Sequence, residues 1–566
     1  MSKILLSLFF AFVCFNANCQ SYSVVINELM ADPTPIVGLP DAEWIEVKNT
    51  TTVPINLAGW RIGKSSGMSG AMPAYTLKPD SFLIITTASN LSQLAAFGPA
   101  ISVTSFPSLS NTGDQIILKN NFGATIHAVS YTDDWYKNDL KKNGGWSLEM
   151  IDPKNPCQGK DNWSASVDAR GGTPGKINSI NAANPDRSAP VLLRSYAQDN
   201  LNVTLVFNEP LDSSSNFSTN LFSISDGIGV ASSVSITAPA FDKVVLRLST
   251  PLVSNKIYTV TATGIKDCSG NALSSGTAKV GLAENVDSND VIINEILFNP
   301  ASGGVDFIEL YNRSKKIINL KNIYLANRNT AGVISSITQV SVEDRLFFPG
   351  DFIVATPDKS LLLRDHIAQN PDAIISVQIP SMNDDKGEVF VLKETGAVVD
   401  YLQYSEKWHF ALVSNREGIS LERLNYDAPT NSSSNWHSAS AASGYATPTY
   451  KNSQVTGEMG GDGEITVTPK VISPNNDGRD DFATISYAFG RAGTVANVTI
   501  FDASGRVVRY LEKSTLNGSN GQYRWDGLGE KNRKLLPGIY VIYTEIFNLD
   551  GKKKAFKNSI VIAGDR

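Results

Sequence analysis

The stretch Val25–Asn49, VINELMADPTPIVGLPDAEWIEVKN, constrains the fold most, because the chain contains it twice. The second copy is Ile292–Asn312, IINEILFNPASGGVDFIELYN. Each copy has an apolar strand ending on Asn-Glu (Asn27-Glu28, Asn294-Glu295) and then a Pro/Gly loop. An acidic residue, an aromatic, Ile and Glu follow (Glu43-Trp44-Ile45-Glu46, Asp306-Phe307-Ile308-Glu309), and the copy closes on Asn49 or Asn312. The correspondence runs on. Ile55-Asn56-Leu57 matches Ile318-Asn319-Leu320, and Ser147-Leu148-Glu149 matches Ser420-Leu421-Glu422. Asn162-Trp163-Ser164 matches Asn435-Trp436-His437, and Thr173-Pro174 matches Thr447-Pro448. Copies this far apart imply a duplicated domain, since a solenoid unit would span roughly 20–50 residues.

A chain of 566 residues exceeds what one core supports. Short runs rich in Thr, Val, Ile and aromatics, cut by Gly, Pro and Asn/Asp turns, read as β-strands. In the first copy they are Ser23–Leu29, Trp44–Asn49, Ser81–Thr87, Gln115–Lys119, Thr125–Tyr131 and Trp146–Met150, with one short helix at Leu91–Phe97. Between the copies, strands are expected at Val203–Phe207, Lys243–Leu248 and Tyr258–Ala262, and a turn at Asp267-Cys268-Ser269-Gly270-Asn271. After the second copy, the Gly-rich stretch Ser453–Gly463 reads as a flexible linker. Strands follow at Ala483–Ala488, Asn497–Phe501 and Gln522–Trp525.

These motifs carry family resemblances. The ordered INE strand, acidic-aromatic-IE strand, INL strand and closing NWSxS…TPG are similar to lamin-tail domains, which implies immunoglobulin-like sandwiches. In the second copy Pro448-Thr449 departs from the Pro-Gly ending. The middle segment, with Asn208-Glu209-Pro210-Leu211 and Asp267-x-x-Gly270-Asn271, resembles the bacterial Ig-like domain. The C-terminal segment, with Ser473-Pro474-Asn475-Asn476-Asp477-Gly478, Trp525-Asp526-Gly527 and Leu536-Pro537-Gly538-Ile539-Tyr540, resembles the Ig-like domain of flagellar-hook-assembly and gliding-motility proteins, and its tail Lys552–Ile562 is also similar to type IX sorting tails. The expectation is an all-β chain of four consecutive immunoglobulin-like β-sandwich domains. A signal peptide at 1–19 comes first, then lamin-tail 20–180, Ig-like 186–285, lamin-tail 288–452, linker 453–463 and a C-terminal Ig-like domain at 464–566.

The N-terminus has Lys3, an apolar run Ile4–Val13 too short to span a bilayer, and small residues suited to cleavage after Cys19. The alternative, a lipid anchor on Cys19 or Cys14, lacks the usual small residue just before the cysteine. No later run is long enough for a transmembrane helix. Cleavage leaves Cys157 and Cys268, which fall in different expected domains; this favours two separate thiols over a bridge. A net charge of −6 argues against a nucleic-acid binder, which needs a basic face.

No G-x-S-x-G, C-x-x-C or phosphate-binding loop is present, and the four histidines lack metal-ligand spacing. The pairs Glu28/Glu46 and Glu295/Glu309 could act as acid and base or hold a cation, but a structural role in the fold is favoured. Asn475, Asp477 and Asp481 resemble half of a Ca²⁺ loop without the closing Glu, so an Asx-turn is favoured over a metal there. Trp44, Trp60, Trp135, Trp146, Trp163 and Trp436 could form a sugar-binding platform, but most sit in strand patterns that match between the copies, so core packing is favoured. Asp133-Asp134-Trp135-Tyr136, with no counterpart seen in the second copy, is the candidate exposed binding tip. The resemblances imply a non-enzymatic, exported protein at the cell surface or outside, associated with the outer membrane, whose partners are envelope or outer-membrane proteins. The alternatives are a carbohydrate- or calcium-binding module and a hydrolase accessory protein on a type IX-like route.

Overall fold

A computed structural model describes residues 22–213, 217–455, 463–475, 479–489, 492–549 and 551–564. The expected signal peptide lies outside them. Strand accounts for 40% of the chain and helix for 8%, which makes the fold all-β, a series of sandwiches. The chain divides into two compact units, Met1–Leu282 and Ala283–Arg566.

In the first unit, a six-stranded sheet has the order Trp163–Ala165, Leu148–Met150, Val24–Met30, Trp44–Asn49, Phe82–Thr86, Ala100–Ser102. A four-stranded sheet runs Thr125–Thr132, Gly113–Lys119, Arg61–Lys64, Gly67–Met68. Alternating side chains of Ile26, Leu29, Ile45, Val47, Leu83, Ile116 and Leu118 form one apolar core. Trp60 and Trp163 belong to it too, while Trp44 packs in a smaller cluster with Leu94 of the short helix Leu91–Leu94. Removing a buried ring such as Trp163, 1% exposed, to Ala would cost about 3–5 kcal/mol.

The same unit holds two further four-stranded sheets. One is Leu192–Ala197, Asn202–Phe207, Lys243–Arg247, Ser233–Thr237; the other is Gly229–Val230, Phe222–Ile224, Tyr258–Ala262, Gly276–Val280. The sequence expectation of two separate thiols is overturned: Cys157 and Cys268 are disulfide-bonded. The bridge pins the loop before Trp163 to the turn after Ile265. Distance along the chain concealed this, because the two cysteines sit in segments read as different domains.

The second unit repeats the first six-stranded order strand for strand: Trp436–Ser438, Leu421–Arg423, Val291–Leu297, Phe307–Asn312, Phe352–Thr356, Ile374–Ser376. Its four-stranded partner runs Val398–Ser405, Lys386–Lys393, Ile323–Arg328, Ile334–Gln339. The last strand of each six-stranded sheet is parallel to its neighbour in both copies. The C-terminal segment packs a three-stranded sheet (Glu464–Thr468, Ala483–Ala488, Asn520–Trp525) against a five-stranded one built on the long pair Gly538–Phe547 and Lys553–Ile562. The stretch expected as linker starts as ordered chain. Gln454 is buried, its side-chain amide donates to the Asn517 carbonyl, and the Ser519 amide donates to the Ser453 carbonyl. Residues 456–462 lie outside the described set.

Candidate functional site: a row of buried glutamates in each copy

The strands Val24–Met30 and Val291–Leu297 each carry a β-bulge against their neighbour, between Ile26 and Glu28 and between Ile293 and Glu295. The bulge residue is the Asn of the repeated Asn-Glu. After it the register places Glu28 opposite both Glu46 and Glu149, and Glu295 opposite both Glu309 and Glu422. Three carboxyls therefore stand abreast across three adjacent strands, an arrangement unfavourable for like charges. All six are fully buried. The third member of each row, Glu149 or Glu422, was missed by pairing only the first two.

What closes over each row is the segment after the last sheet strand. In the first copy, the Thr173 amide and the Ser147 hydroxyl donate to Glu28 Oε1, and the Gly175 amide donates to Glu46 Oε2. Ser179 Oγ and the Ile180 amide donate to Glu149 Oε2, at 2.8 and 3.1 Å. The second copy makes the equivalent bonds from Thr447 and Ser420 to Glu295, Thr449 to Glu309, and Ser453 and Gln454 to Glu422. The bulge asparagines are bridged to the same segments. Asn27 Nδ2 donates to Asn178 Oδ1 (2.7 Å), as Asn294 Nδ2 does to Asn452 Oδ1 (2.6 Å). The signal that could have revealed this latch is T-P-x-x-x-N-S, present at residues 173–179 and again at 447–453.

One threonine in each copy lies between two carboxyls. Thr173 Oγ1 lies 3.2 Å from Glu28 Oε2 and 2.9 Å from Glu149 Oε1; Thr447 Oγ1 lies 2.9 Å from Glu295 Oε2 and 2.8 Å from Glu422 Oε1. A hydroxyl has one proton, so it cannot donate to both carboxyls, and the second bond needs a proton from a carboxylic acid. Burial acts in the same direction. It pushes Glu46 and Glu295 up to about 8 and raises Glu28 and Glu309 well above the usual carboxylate range, and neighbouring carboxylates add to the shift. With no exposed surface, these glutamates fasten the closing segment rather than meeting a substrate.

The copies differ at the bulge amide. Ile26 N–H donates to His127 Nδ1 (2.9 Å), whereas Ile293 N–H donates to Asp400 Oδ2 (2.8 Å). Burial lowers His127 to about 4, so it is neutral and its Nδ1 is free to accept. In the second copy Arg423, at the place of Met150, is fully buried; it lies 3.5 Å from Asp400 and donates to the Ile293 carbonyl. The Pro448-Thr449 departure leaves the geometry intact. Thr449 takes the left-handed conformation of Gly175 (φ 73° and 78°), and its hydroxyl accepts from the Asn370 amide.

The candidate binding tip is not an exposed one. Asp133–Tyr136 form a 3₁₀ turn in which Tyr136 is buried and Trp135 packs on Trp163, ring centroids 6.1 Å apart; of the four, only Asp134 is exposed. The expectation that it lacks a counterpart is also corrected. Tyr131-Thr132-Asp133-Asp134-Trp135 corresponds to Tyr404-Ser405-Glu406-Lys407-Trp408, whose Trp408 packs on the second core. Tyr131 and Tyr404 donate to the Ser110 and Asn383 carbonyls. Of the C-terminal Ca²⁺ candidates, Asp477 lies outside the described residues, while Asp481 Oδ1 accepts from the Asn475 amide at 3.2 Å.

Residues 19–133 match the lamin tail domain model, 180–283 the bacterial Ig-like domain model, and 466–562 the CHU_C type IX secretion signal domain model. The third match corrects the flagellar-hook and gliding-motility resemblance of the C-terminal segment. No curated protein matches the chain. Among solved structures, the S-layer protein SbsC is similar at 12% identity over 66% of this chain and 54% of that one, TM-score 0.16. Dimeric latent PorU of Porphyromonas gingivalis is similar at 10% identity over 81% and 41%, TM-score 0.16. A DUF4876 family protein of Bacteroides thetaiotaomicron is similar at 12% identity over 38% and 91%, TM-score 0.20. The chain spans 44% and 54% of the first two S-layer structures it matches. Among the described residues no helix is long and apolar enough to cross a membrane. The secretion signal domain marks the chain for export to the cell surface or outside. The chain thus joins a lamin tail domain, a bacterial Ig-like domain and a type IX secretion signal domain in one secreted or surface multidomain protein.

Proposed function

We propose that this chain is a non-enzymatic component of the outer-membrane surface, whose sandwich modules mediate adhesion to, or assembly with, other envelope proteins. The observation that carries the reading is the secretion-signal match over residues 466–562 at the end of a series of sandwiches. The sealing of the signature glutamates supports it, because the most chemically suggestive residues are used to hold the fold. The test is cross-linking and pull-down from the native cells with a tag inserted in residues 456–462, beside cells making the chain without residues 464–566. Recovery with envelope proteins from the surface fraction, lost in the truncated chain, is expected. Recovery from the medium alone, without partners, would overturn it.

A cavity of about 530 Å³ in the second unit favours a second reading, a small glycan ligand. Tyr401, Tyr426, Arg313, Asp427 and Asn431 are among its lining residues, and Tyr426 stacks on Tyr311 at 4.4 Å. Glycan-array binding that disappears in Tyr426→Ala would favour this reading over protein assembly.

A further inference from the structure

Beside the disulfide, three carboxyls from separate stretches of chain converge. Asp186 lies in the segment between the two sandwiches of the first unit, Glu209 follows the strand Asn202–Phe207, and Asp267 opens the turn that carries Cys268. Each offers an oxygen within 4.8 Å of the others. The backbone brings the last two together through the bridge between Leu211 and Asp267 and the bond from the Asp212 amide to the Lys266 carbonyl. Glu209 is 6% exposed and Asp267 1%. Asp267 is braced from behind: the Asn271 backbone amide donates to Oδ1 at 2.9 Å and its side-chain amide to Oδ2 at 2.8 Å.

Two oxygens in this group are left over. Glu209 Oε1 and Asp186 Oδ2 are buried and have no hydrogen-bond partner among the described residues. None of the three carboxyls makes an ion pair with a described Lys, Arg or His, and the charges weighing most on Glu209 are those of Asp186, Asp267 and Asp161. A buried, unpaired carboxylate oxygen facing two more carboxyls is costly unless a cation sits among them or one of them takes up a proton. The Glu rows of the two copies resolve the same conflict with amide and hydroxyl donors together with protonation. Here the Ser188 amide donates to Asp186 Oδ1, and the side chains of Ser269 and Asn208 act on Asp186 and Glu209, yet Asp186 Oδ2 and Glu209 Oε1 keep no hydrogen-bond partner among the described residues.

We propose that Asp186, Glu209 and Asp267 form a calcium site that ties the inter-sandwich segment to the Ig-like sandwich. Hard oxygen donors alone, with no His or thiolate, suit Ca²⁺ or Mg²⁺ rather than a transition metal. Of the two, Ca²⁺ accepts irregular geometry built largely from protein oxygens, whereas Mg²⁺ demands a near-ideal octahedron and usually keeps several waters. The Asn271 bonds do for Asp267 what outer-shell partners do for a ligating carboxylate, fixing its orientation. The site is separate from the Asn475–Asp481 loop, and the sequence concealed it because its members are scattered through three segments.

The test is thermal unfolding and calorimetric titration of the full chain, disulfide intact, in chelator, in calcium and in magnesium. Calcium is expected to raise the unfolding temperature of the first unit more than magnesium does, with one site per chain in the titration. In Glu209→Gln and in Asp186→Asn that shift is lost. Each variant should unfold in chelator at or above the wild-type temperature, because a buried repulsion has been removed. That rise separates a lost ligand from a damaged fold. A wild-type chain indifferent to calcium, or a shift that survives in both variants, would overturn the proposal.

Discussion

At the residue scale, the two threonines that sit between carboxyls test the proton-sharing account directly. Thr447→Val keeps the shape, removes the hydroxyl, and leaves Glu295 and Glu422 facing each other in a sealed site. Bonds to charged or potentially charged partners are worth about 1.5–3 kcal/mol, so urea unfolding of the second unit should show a loss of roughly that size. The pH dependence follows from the same carboxyls. Glu46 and Glu295 titrate near 8 when folded, against 4.5 for an ordinary glutamate, so the native state binds more protons between those values. Their contribution is whole below about 4.5 and is lost as pH rises through about 8. The buried histidines oppose it. His127 and His409 sit near 4 when folded, against 6.5, and therefore favour the native state more as pH rises toward 6.5. Above 6.5 the histidines have stopped titrating, and the carboxyls alone act. Stability should therefore fall between about 6.5 and 8, and chemical unfolding across that window checks it. A flat or rising profile there would mean the rows are ionised as built.

At the element scale, each closing segment is a latch that works only if its backbone lies flat against the row. Gly175 shows how close it comes. A Cβ there would meet Gly98 Cα and the Phe97 carbonyl oxygen at 2.7 Å, and the residue is left-handed at φ 78°. Gly175→Ala should destabilise the first unit by about 1–3 kcal/mol, from overpacking with αL strain added, and should speed hydrogen exchange at residues 173–180 before the sheet strands. Much of this architecture was legible. The duplicated strands, the sandwich class and the core tryptophans follow from alternation, turn residues and recurrence. The latch was half legible: its residues recur in both copies, but recurrence alone cannot tell a fold signature from a reactive site. Which of the two it is depends on cross-strand register, set by a one-residue bulge that no propensity announces. Trp135 and Tyr136 misled for a related reason. A loop position in sequence says nothing of whether its rings turn inward.

At the scale of the whole molecule, the feature least visible in the sequence is the Cys157–Cys268 bridge, because it joins segments 111 residues apart that read as separate domains. Among the described residues Cys157 and Cys268 are the only cysteines, and they are bonded to each other. Closing a loop of about 100 residues removes denatured-state entropy worth about 4–5 kcal/mol, before any native strain is subtracted. Such a bond persists in an oxidising compartment, which agrees with export. The two units should respond differently to reductant. Residues 283–566 contain no cysteine, so their unfolding should be unchanged. The first unit should lose about 2–5 kcal/mol in the Cys157→Ser, Cys268→Ser double variant. The effect also bears on the calcium site, because Cys268 adjoins Asp267 and the bridge holds that turn beside the loop preceding Trp163. Calcium affinity should therefore weaken in the double variant while Glu209 and Asp186 are untouched. Calorimetry of wild type and double variant, each with calcium and with chelator, separates the terms. If bridge and cation stabilise independently, their effects add; if the bridge positions Asp267, the calcium shift shrinks when the bridge is gone. A first unit equally stable without its cysteines would show that the packing between its sandwiches, rather than the covalent link, sets that geometry.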